Sequence, residues 1–488
     1  MDSLSSLIKV LRPSEKKLLR HYYSRITNSE DKLRLKLFNL IERGKVSDKE
    51  SALANLKHPG GASFSHLKSR LKNDILNILL LQETNKRFAQ LNRAAELECR
   101  KKVAQSHVLL LRGAQMEGLK ILKKALALAE RFELFGEKLQ MNHLLREYSA
   151  GSAPASELER LNTEIKKDLK RYEVLLYVEE QSVLLASPEM GKRLRAKSNE
   201  KKYIQLIDDL GKLYKKYKVA RIGFWYFMAA TEYHTTRRNY EKVLELGLNF
   251  LKLVEKNPAV RSKNNRAGVN QTVGFAQIEL RNFEQSISHL SVAEKLFPAA
   301  GFNRLQCLQF LAISELASGR YVDSLQTAEK AFSHPRIEAR EQLLPRWLFI
   351  KACVEFLQGD ANTSFKTLNR DGYLVKQQDE WNIQYRLLEM LQLIEMGDEE
   401  WLDFKLDATR KFLTRHKKLD TPRVRAAIDL IGNLLRKEFD FGEISENNRQ
   451  LLNLCLNESD GYEWSPTGAE IVRFDTWIRD KIPNQEAE

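Results

Sequence analysis

Apolar residues in the first ninety positions recur at the three- and four-residue spacing of amphipathic helices. One such stripe lies in residues 14–26, a second in 31–43 and a third in 63–82. The sequence His-Pro-Gly-Gly at 58–61 separates the second stripe from the third, as Pro and Gly commonly do between helices. The pattern predicts an N-terminal helical unit over residues 1–90.

Two segments farther along the chain, Gly274–Pro298 and Ala312–Pro335, follow one common pattern. Each has a small residue, a helix that ends near Gly or Asn, an aromatic residue, a second helix with small residues at every third or fourth position, and then Pro. Weaker copies of the pattern lie on both sides of these segments. The residue that follows the turn between the two helices recurs at intervals of 43, 38, 40 and 38 positions, at Tyr240, Phe283, Tyr321, Ala361 and Glu399. Repetition of a helix pair predicts a solenoid in which neighbouring repeats stack.

The repeat divides the rest of the chain into three predicted parts. Residues 91–200 carry a degenerate form, 201–456 carry the regular repeats, and 457–488 form a C-terminal capping segment and tail. Gly (22) and Pro (11) are scarce among the 488 residues, which favours long helices over a many-turned β-protein. The predicted fold class is all-α, an α-solenoid of helix-turn-helix repeats with an N-terminal helical unit.

The repeated segments resemble the tetratricopeptide repeat (TPR) family, whose consensus has small residues at positions 8, 20 and 27, an aromatic residue at 17 and Pro at 32. The matches in the first segment are Gly274, Phe283, Ser286 in place of Ala, Ala293 and Pro298. The matches in the second are Ala312, Gly319, Tyr321, Ser324, Ala331 and Pro335. The whole chain also resembles bacterial proteins in which a Ser-Glu-Lys-Lys helical segment, here residues 14–17, precedes such repeats.

The resemblance implies that the first helix of each repeat lines a concave groove. The positions that carry over are Gln271, Phe275, Ile278, Gln306, Gln309, Ile313, Arg346, Phe349 and Phe356. They predict an apolar groove with a few amides and one Arg, which receives a helix or an extended peptide of a partner protein. We expect Phe349 and Phe356 to be solvent-accessible in this groove. The alternative is that neighbouring helices of the chain itself cover these apolar positions.

Charge is distributed unevenly along the chain, whose net charge is +15. Residues 1–100, 101–200 and 201–300 carry net charges of +9, +4 and +8. Residues 301–400 and 401–488 carry −4 and −2. This asymmetry raises a second hypothesis, a nucleic-acid-associated or transcription-linked regulator that uses the basic N-terminal half. A filter-binding series with mixed DNA and RNA tests it, and no retention at low salt would remove the idea.

Motifs for enzyme or cofactor chemistry are not found. Gly113 and Gly118 have the spacing of a phosphate-binding loop, but neither the Lys-Ser/Thr pair nor a preceding strand accompanies them. His58 and His66 have no Cys or carboxylate that completes a metal set. We therefore predict a non-enzymatic protein with no cofactor.

Four cysteines lie far apart, at positions 99, 307, 353 and 455, and none belongs to a Cys-x-x-Cys pair. We predict that they are small buried hydrophobes without disulfide bonds. The densest apolar run, Ile75–Leu81, is far shorter than a membrane span, and the N-terminus lacks the features of a signal peptide. The expectation is a soluble cytoplasmic protein with no membrane partner.

Overall fold

The described residues of the computed structural model are almost entirely helical. They are residues 2–24, 29–46, 48–57, 61–81, 91–151, 153–186, 197–372, 376, 379–444 and 446–483. Within them the chain forms 23 α-helices, one short 3₁₀ turn at Lys197–Asn199 and no β-strand, which confirms the all-α prediction. None of these helices is long and apolar enough to cross a bilayer. The predicted break at 58–61 begins with three residues outside those described.

The helices are numbered in chain order. Before residue 200 they are α1 (Asp2–Val10), α2 (Pro13–Ser24), α3 (Ser29–Glu42), α4 (Lys49–Leu56), α5 (Gly61–Leu81), α6 (Leu91–Leu111), α7 (Gln115–Arg131), α8 (Phe135–Ser149) and α9 (Ala155–Ala186). From residue 200 onward they are α10 (Glu200–Tyr217), α11 (Ala220–Thr236), α12 (Tyr240–Lys256), α13 (Lys263–Glu279), α14 (Phe283–Leu296), α15 (Phe302–Ala317), α16 (Tyr321–Phe332), α17 (Leu343–Leu357), α18 (Ala361–Leu368), α19 (Glu380–Met396), α20 (Glu399–Arg415), α21 (Pro422–Arg436), α22 (Glu446–Leu456) and α23 (Phe474–Lys481).

The chain divides into two compact units. The N-terminal unit comprises Met1–Phe88, Arg93–Ala129 and Gln140–Leu158. The C-terminal unit comprises the two short segments Ala89–Asn92 and Glu130–Leu139 together with Glu159–Glu488. The boundaries expected from the sequence near residues 90, 200 and 456 remain predictions.

The core of the N-terminal unit contains the apolar stripes expected from the sequence. Phe64, Leu71 and Ile75 of α5 are fully buried, and they pack in one cluster with Leu19 of α2 and Phe38 of α3. Apolar residues at helical spacing therefore face the interior, as their periodicity predicts.

Consecutive helical hairpins build most of the C-terminal unit: α11–α12, α13–α14, α15–α16, α17–α18, α19–α20 and α21–α22. Each first helix packs on its own second helix, and from α13 to α21 each first helix also packs on the next first helix. The first helices thus form one continuous layer, as stacked repeats require. The predicted TPR-like α-solenoid is confirmed for this part of the chain.

Small residues let the two helices of a hairpin approach closely. A Cβ atom on Gly274 of α13 would come within 2.6 Å of Leu290 Cγ on α14. Leu290 is fully buried, and a close-packed interior leaves it little room to move. The small residue at this position of the repeat is therefore a direct consequence of helix proximity.

Serine at position 20 of the repeat does more than replace the consensus alanine. Ser324 Oγ donates to the carbonyl oxygen of Ala312 at 2.9 Å, and Ser364 Oγ donates to that of Ala352 at 2.6 Å. Gln392 of the next hairpin in turn donates to Ser364 Oγ at 2.6 Å. These buried hydroxyls join the helices within a hairpin and one hairpin to the next.

All four cysteines are buried and free of disulfide bonds, as predicted. Cys353 of α17 has no solvent exposure, and burial raises the pKa of its thiol well above the usual value. Its side chain acts as a small hydrophobe in the core of the C-terminal unit.

Overpacking at the crossing of α13 and α14 should destabilise the C-terminal unit. We expect Gly274→Ala to lower the free energy of unfolding by about 1–3 kcal/mol, because the added methyl group meets Leu290. Gly268→Ala on the same helix is the matched control, since nothing lies within 4 Å of its added Cβ. The control should be neutral or stabilising by up to about 1 kcal/mol, because Ala favours helices. Urea unfolding measures both variants, and equal effects would contradict the packing account.

A buried carboxyl makes stability depend on pH. Glu315 of α15 is 7% exposed, and burial raises the pKa of this carboxyl to about 7, against a smaller lowering by a hydrogen bond to Thr327. Its ordinary value is 4.5, so the folded state binds the proton more tightly than the unfolded state does. The contribution of this group to stability is present below pH 4.5 and is lost as pH rises through 7.

Removing the Glu315 charge should therefore stabilise the protein above neutral pH. We expect Glu315→Gln to raise the free energy of unfolding at pH 8 by about 1–3 kcal/mol and to change it little near pH 4.5. Glu341→Gln, at an exposed position, is the control. Thermal unfolding from pH 4.5 to 8 measures the difference, and parallel pH curves for the wild type and Glu315→Gln would refute this assignment.

Candidate functional site

An open groove lies on the first helices of three hairpins and is defined here by the residues that line one cavity of about 490 Å³. Helices α11, α13 and α15 supply nearly all of the lining, with one residue from α12. The lining residues are Phe224, Met228, Thr231, Thr235, Phe250, Asn264, Asn265, Gly268, Val269, Gln271, Thr272, Phe275, Asn303, Gln306 and Phe310. None of them is ionisable, so the lining carries no formal charge.

Aromatic side chains form the apolar part of the open groove. Phe275 packs against Phe310, with ring centroids 5.3 Å apart, and against Tyr240 at 5.9 Å in an edge-to-face arrangement. Phe224 packs edge-to-face on Phe250 at 5.1 Å. Phe275, Phe310 and Phe224 are each only partly buried, which leaves ring surface available to an apolar ligand group.

Amide side chains form the polar part of the same groove. Gln271 Nε2 donates to Gln306 Oε1 at 3.2 Å, which links α13 to α15. Asn264 and Asn303, at the starts of these two helices, are exposed. Because each amide carries both donors and an acceptor, the set can pair with the N–H and C=O groups of a peptide backbone.

Gln271, Phe275 and Gln306, three of the nine predicted groove residues, line the open groove. Gln309 is partly buried and lies outside its lining. Ile278 and Ile313 are buried, with 0% and 3% of their surface exposed.

Phe349 and Phe356 are not accessible, so that prediction was wrong. Only 2% of the Phe349 surface and 5% of the Phe356 surface are exposed. Phe349 packs edge-to-face on Trp381 of α19 at 5.8 Å, and Phe356 packs on Trp477 of α23 at 6.0 Å. Other parts of the chain cover these positions, which agrees with the alternative considered for the groove.

Arg346, the remaining predicted residue, is half-buried and turned toward the chain itself. Its guanidinium lies 4.7 Å from the centre of the Trp381 ring, and its Nη2 atom is 3.8 Å from Asp379 Oδ2. A cation stacked on an indole in this way is already partly satisfied.

A C-terminal strap, defined as residues 458–482, lies along the first helices. Thr467 donates a hydrogen bond to Glu279 at the end of α13, and Trp477 Nε1 donates to Glu395 of α19 at 3.0 Å. Between these contacts, Phe474 borders the same small internal space as Phe349. Together with α19, the strap therefore covers the part of α17 that the resemblance had assigned to a groove.

A buried ion-pair cluster anchors the strap to α21. Arg423 donates to Glu470 through Nε and Nη2, with Nε–Oε2 and Nη2–Oε1 distances of 2.7 Å, and Nη2 lies 3.2 Å from Asp475. Arg473 completes the cluster at 2.7 Å from Asp475. Burial opposes ionisation of Asp475, but the hydrogen bond and charge of Arg473 and the charge of Arg423 hold its pKa below the usual value.

Sequence reasoning missed parts of the groove for identifiable reasons. Phe224 and Phe310 occupy repeat positions different from that of Phe275, so the consensus does not mark them. Asn264 and Asn303 lie at helix starts, where an amide is usually a capping residue. The strap has no repeat pattern, and only its buried contacts reveal where it lies.

Comparison with known proteins gives similarities of low score. The sequence matches no protein-family model and shows no significant similarity to a curated protein. The apo form of the quorum sensor NprR from B. thuringiensis aligns at a TM-score of 0.43 and 18% identity, over 69% of this chain and 88% of that one. The Rap conjugation gene regulator of plasmid pLS20 aligns at 0.39 and 15%, over 72% and 95%. The repeat architecture therefore rests on the helix pairs themselves.

The Arg423 cluster should contribute strongly to stability. We expect Arg423→Met to lower the free energy of unfolding by about 3–5 kcal/mol, because Glu470 and Asp475 lose their shared counter-charge in a buried site. Arg425→Met, two residues away, is the matched control, since Arg425 pairs with Asp420 at the surface. The control should change the free energy of unfolding little, because exposed ion pairs contribute little to stability. Urea unfolding compares the variants, and a similar small loss for both would exclude an anchoring role for Arg423.

Proposed function

We propose that this protein is a non-enzymatic scaffold that binds a peptide segment of a partner protein in the open groove. The observation that supports this is the combination of an uncharged lining, partly exposed aromatic rings and a row of amides on three successive first helices. Aromatic rings can bury an apolar side chain of the ligand, while amides pair with its backbone. The lining therefore favours a partner segment that is recognised by its apolar side chains and its backbone rather than by its charges.

We expect the open groove to bind such a segment with moderate affinity. Each apolar side chain that becomes buried contributes about 1.5–3 kcal/mol, from which the cost of ordering the ligand must be subtracted. Two or three such anchors, together with hydrogen bonds to the amides, would give affinities on the order of micromolar. Affinity of this order suits reversible assembly.

The second hypothesis, a nucleic-acid-associated regulator, stays a prediction supported by the charge asymmetry. Part of the basic charge in the N-terminal unit is engaged by acidic residues of the same unit. Arg34 lies 2.6 Å from Asp74, and Arg70 forms an ion pair with Glu30. These pairs reduce the charge that is available to a phosphate backbone.

Substitutions in the open groove should weaken peptide binding. The probe is a peptide selected against the full-length protein from a phage-displayed library of random 12-residue sequences, then labelled with fluorescein. We expect Phe275→Ala to raise the dissociation constant by about 30- to 100-fold and Gln306→Ala by about 5- to 20-fold, through lost burial and lost hydrogen bonds. Fluorescence anisotropy measures the binding.

Phe404→Ala is the control for loss of an aromatic side chain. Phe404 lies on α20, outside the groove, with 63% of its surface exposed. This variant should bind the peptide like the wild type. Binding that both groove variants leave unchanged would rule out the open groove as the binding site.

A further inference from the structure

Helix α9 exposes more large apolar side chains than any other helix that the structure describes. Leu169, Leu176, Tyr177 and Val183 have between 45% and 68% of their surface exposed. All four lie in the part of α9 that belongs to the C-terminal unit. Single exposed apolar residues are ordinary on a protein surface, whereas several on one helix indicate an interaction site.

The other side of α9 holds the helix on the C-terminal unit. Leu175 and Val178 are buried and belong to one apolar cluster with Phe135 of α8. Asp168 is also buried, and its Oδ2 atom lies 3.0 Å from Nζ of Lys138 on α8. The helix is therefore fixed through one side, and its exposed side is a surface of the same unit.

The exposed apolar residues form a stripe along the helix. Leu169, Leu176 and Val183 are spaced by seven residues, and each step of seven turns an α-helix by only about 20°. The three side chains therefore share one side, and this spacing is the one by which two helices pack along their length. Charged residues lie between them at positions 166, 173 and 180. The α9 seam is defined as Asn162, Lys166, Leu169, Glu173, Leu176, Glu180 and Val183.

The charges of the α9 seam have opposite signs at its two ends. Lys166 lies toward the N-terminal end and Glu180 toward the C-terminal end, and both are exposed. Glu173 lies at the centre, where its Oε2 atom is 2.8 Å from Nζ of Lys170 on the same helix. The seam is therefore positive at one end and negative at the other.

Two copies of this seam complement each other in the antiparallel orientation. A two-fold axis beside Glu173 places Leu169 opposite Leu176 of the second copy and Lys166 opposite Glu180 of the second copy, and the symmetry makes each contact twice. A parallel pair would instead set Lys166 against Lys166 and Glu180 against Glu180. Only the two central Glu173 carboxylates meet as like charges in the antiparallel pair, and each already has Lys170 beside it.

We propose that the α9 seam is the interface of a symmetric homodimer in which two copies of α9 pack antiparallel. The self-complementary charges identify the occupant of the seam as a second copy of this chain. Helix α9 contributes nothing to the lining of the open groove, so the inference goes beyond the proposed function. A dimer of this kind carries two open grooves, which would let it bind a partner with two copies of the recognised segment more tightly than a monomer does.

The size of the contact sets the expected strength of the dimer. From residue 162 to residue 183 the helix is about 32 Å long, and a strip about 10 Å wide gives roughly 320 Å² on each copy. The total of roughly 640 Å² is below the about 1,200 Å² of a standard stable interface. We therefore expect a reversible dimer with a dissociation constant on the order of tens of micromolar.

Sedimentation velocity over a concentration series measures the dimer with the full-length protein. We expect Leu176→Ala to raise the dissociation constant at least about tenfold, because the two-fold symmetry removes its contact twice. Val322→Ala is the matched control, since Val322 of α16 is 63% exposed and lies outside the seam. The control should dimerise like the wild type. The affinity of Leu176→Ala for the peptide selected on the open groove should also be unchanged, so dimerisation and peptide binding are measured separately.

A charge exchange tests the orientation. At a low ionic strength of about 50 mM, where surface charges are least screened, Lys166→Glu or Glu180→Lys alone should raise the dissociation constant about five- to tenfold. The double variant restores opposite charges across an antiparallel pair, and its constant should return to within about twofold of the wild-type value. Lys167→Glu is the control on the same helix, because Lys167 lies about 160° around the helix from Leu169 and pairs with Glu164.

Single introduced cysteines locate the two-fold axis. The four native cysteines are buried, so a short bismaleimide crosslinker should react with the introduced one alone. Glu173→Cys should yield a covalent dimer, because the two copies of residue 173 meet at the axis. Val183→Cys should not, since ten residues on either side of the axis separate its two copies by about 30 Å.

The outcomes decide the inference without touching the open groove. A protein that stays monomeric up to about 200 micromolar at low salt would overturn it, since the expected dissociation constant lies well below that concentration. A dimer that Leu176→Ala leaves intact, or one that the double charge exchange does not restore, would also overturn it. Crosslinking of Val183→Cys as efficiently as Glu173→Cys would show a parallel pair and would contradict the proposed orientation.

Discussion

The close approach of successive helices is the constraint on which the rest of the C-terminal unit depends. At Gly274 the helices are so near that a single methyl group would meet Leu290. Buried hydroxyls bridge the same narrow interface, as in the 3.0 Å contact between Ser286 Oγ and Ser314 Oγ of the next hairpin. Because these contacts link both the two helices of a hairpin and neighbouring hairpins, they hold the first helices in one layer. Without this layer the first helices would share no face that could line a groove.

The strap then determines how much of that face is available. Its anchor is a compact set of opposite charges, Arg423 with Glu470 and Asp475, which satisfy one another in a buried environment. Such a set is sensitive to the loss of any member, because the remaining charge would be left buried and unpaired. The same segment places Trp477 against Phe356. One stretch of chain without repeats thus ends the groove and completes the core.

The open groove differs in character from the covered part of the face. Its polar groups are amides that already form one cross-helix contact, between Gln271 and Gln306. The covered part is formed by large apolar side chains such as Phe349, which are fully removed from water. A surface of the second kind would be a large exposed apolar patch if it were open, and folded chains usually cover such patches. The chain covers this one with its own C-terminal residues.

Helix periodicity and the spacing of small residues determined the fold class, the hairpin repeat and the identity of the first helices, because these follow from local geometry and from contacts between neighbouring segments. The resemblance to the TPR family implied Gln271, Phe275 and Gln306 as groove residues, and these three line the open groove. It did not show that Phe349 and Phe356 are covered, because the covering residues include Trp477, more than a hundred positions away in the chain. Contacts between segments so distant in sequence leave no periodic signal. The sequence by itself therefore determined the repeated scaffold, and only the tertiary structure decided which part of its first-helix face remains open.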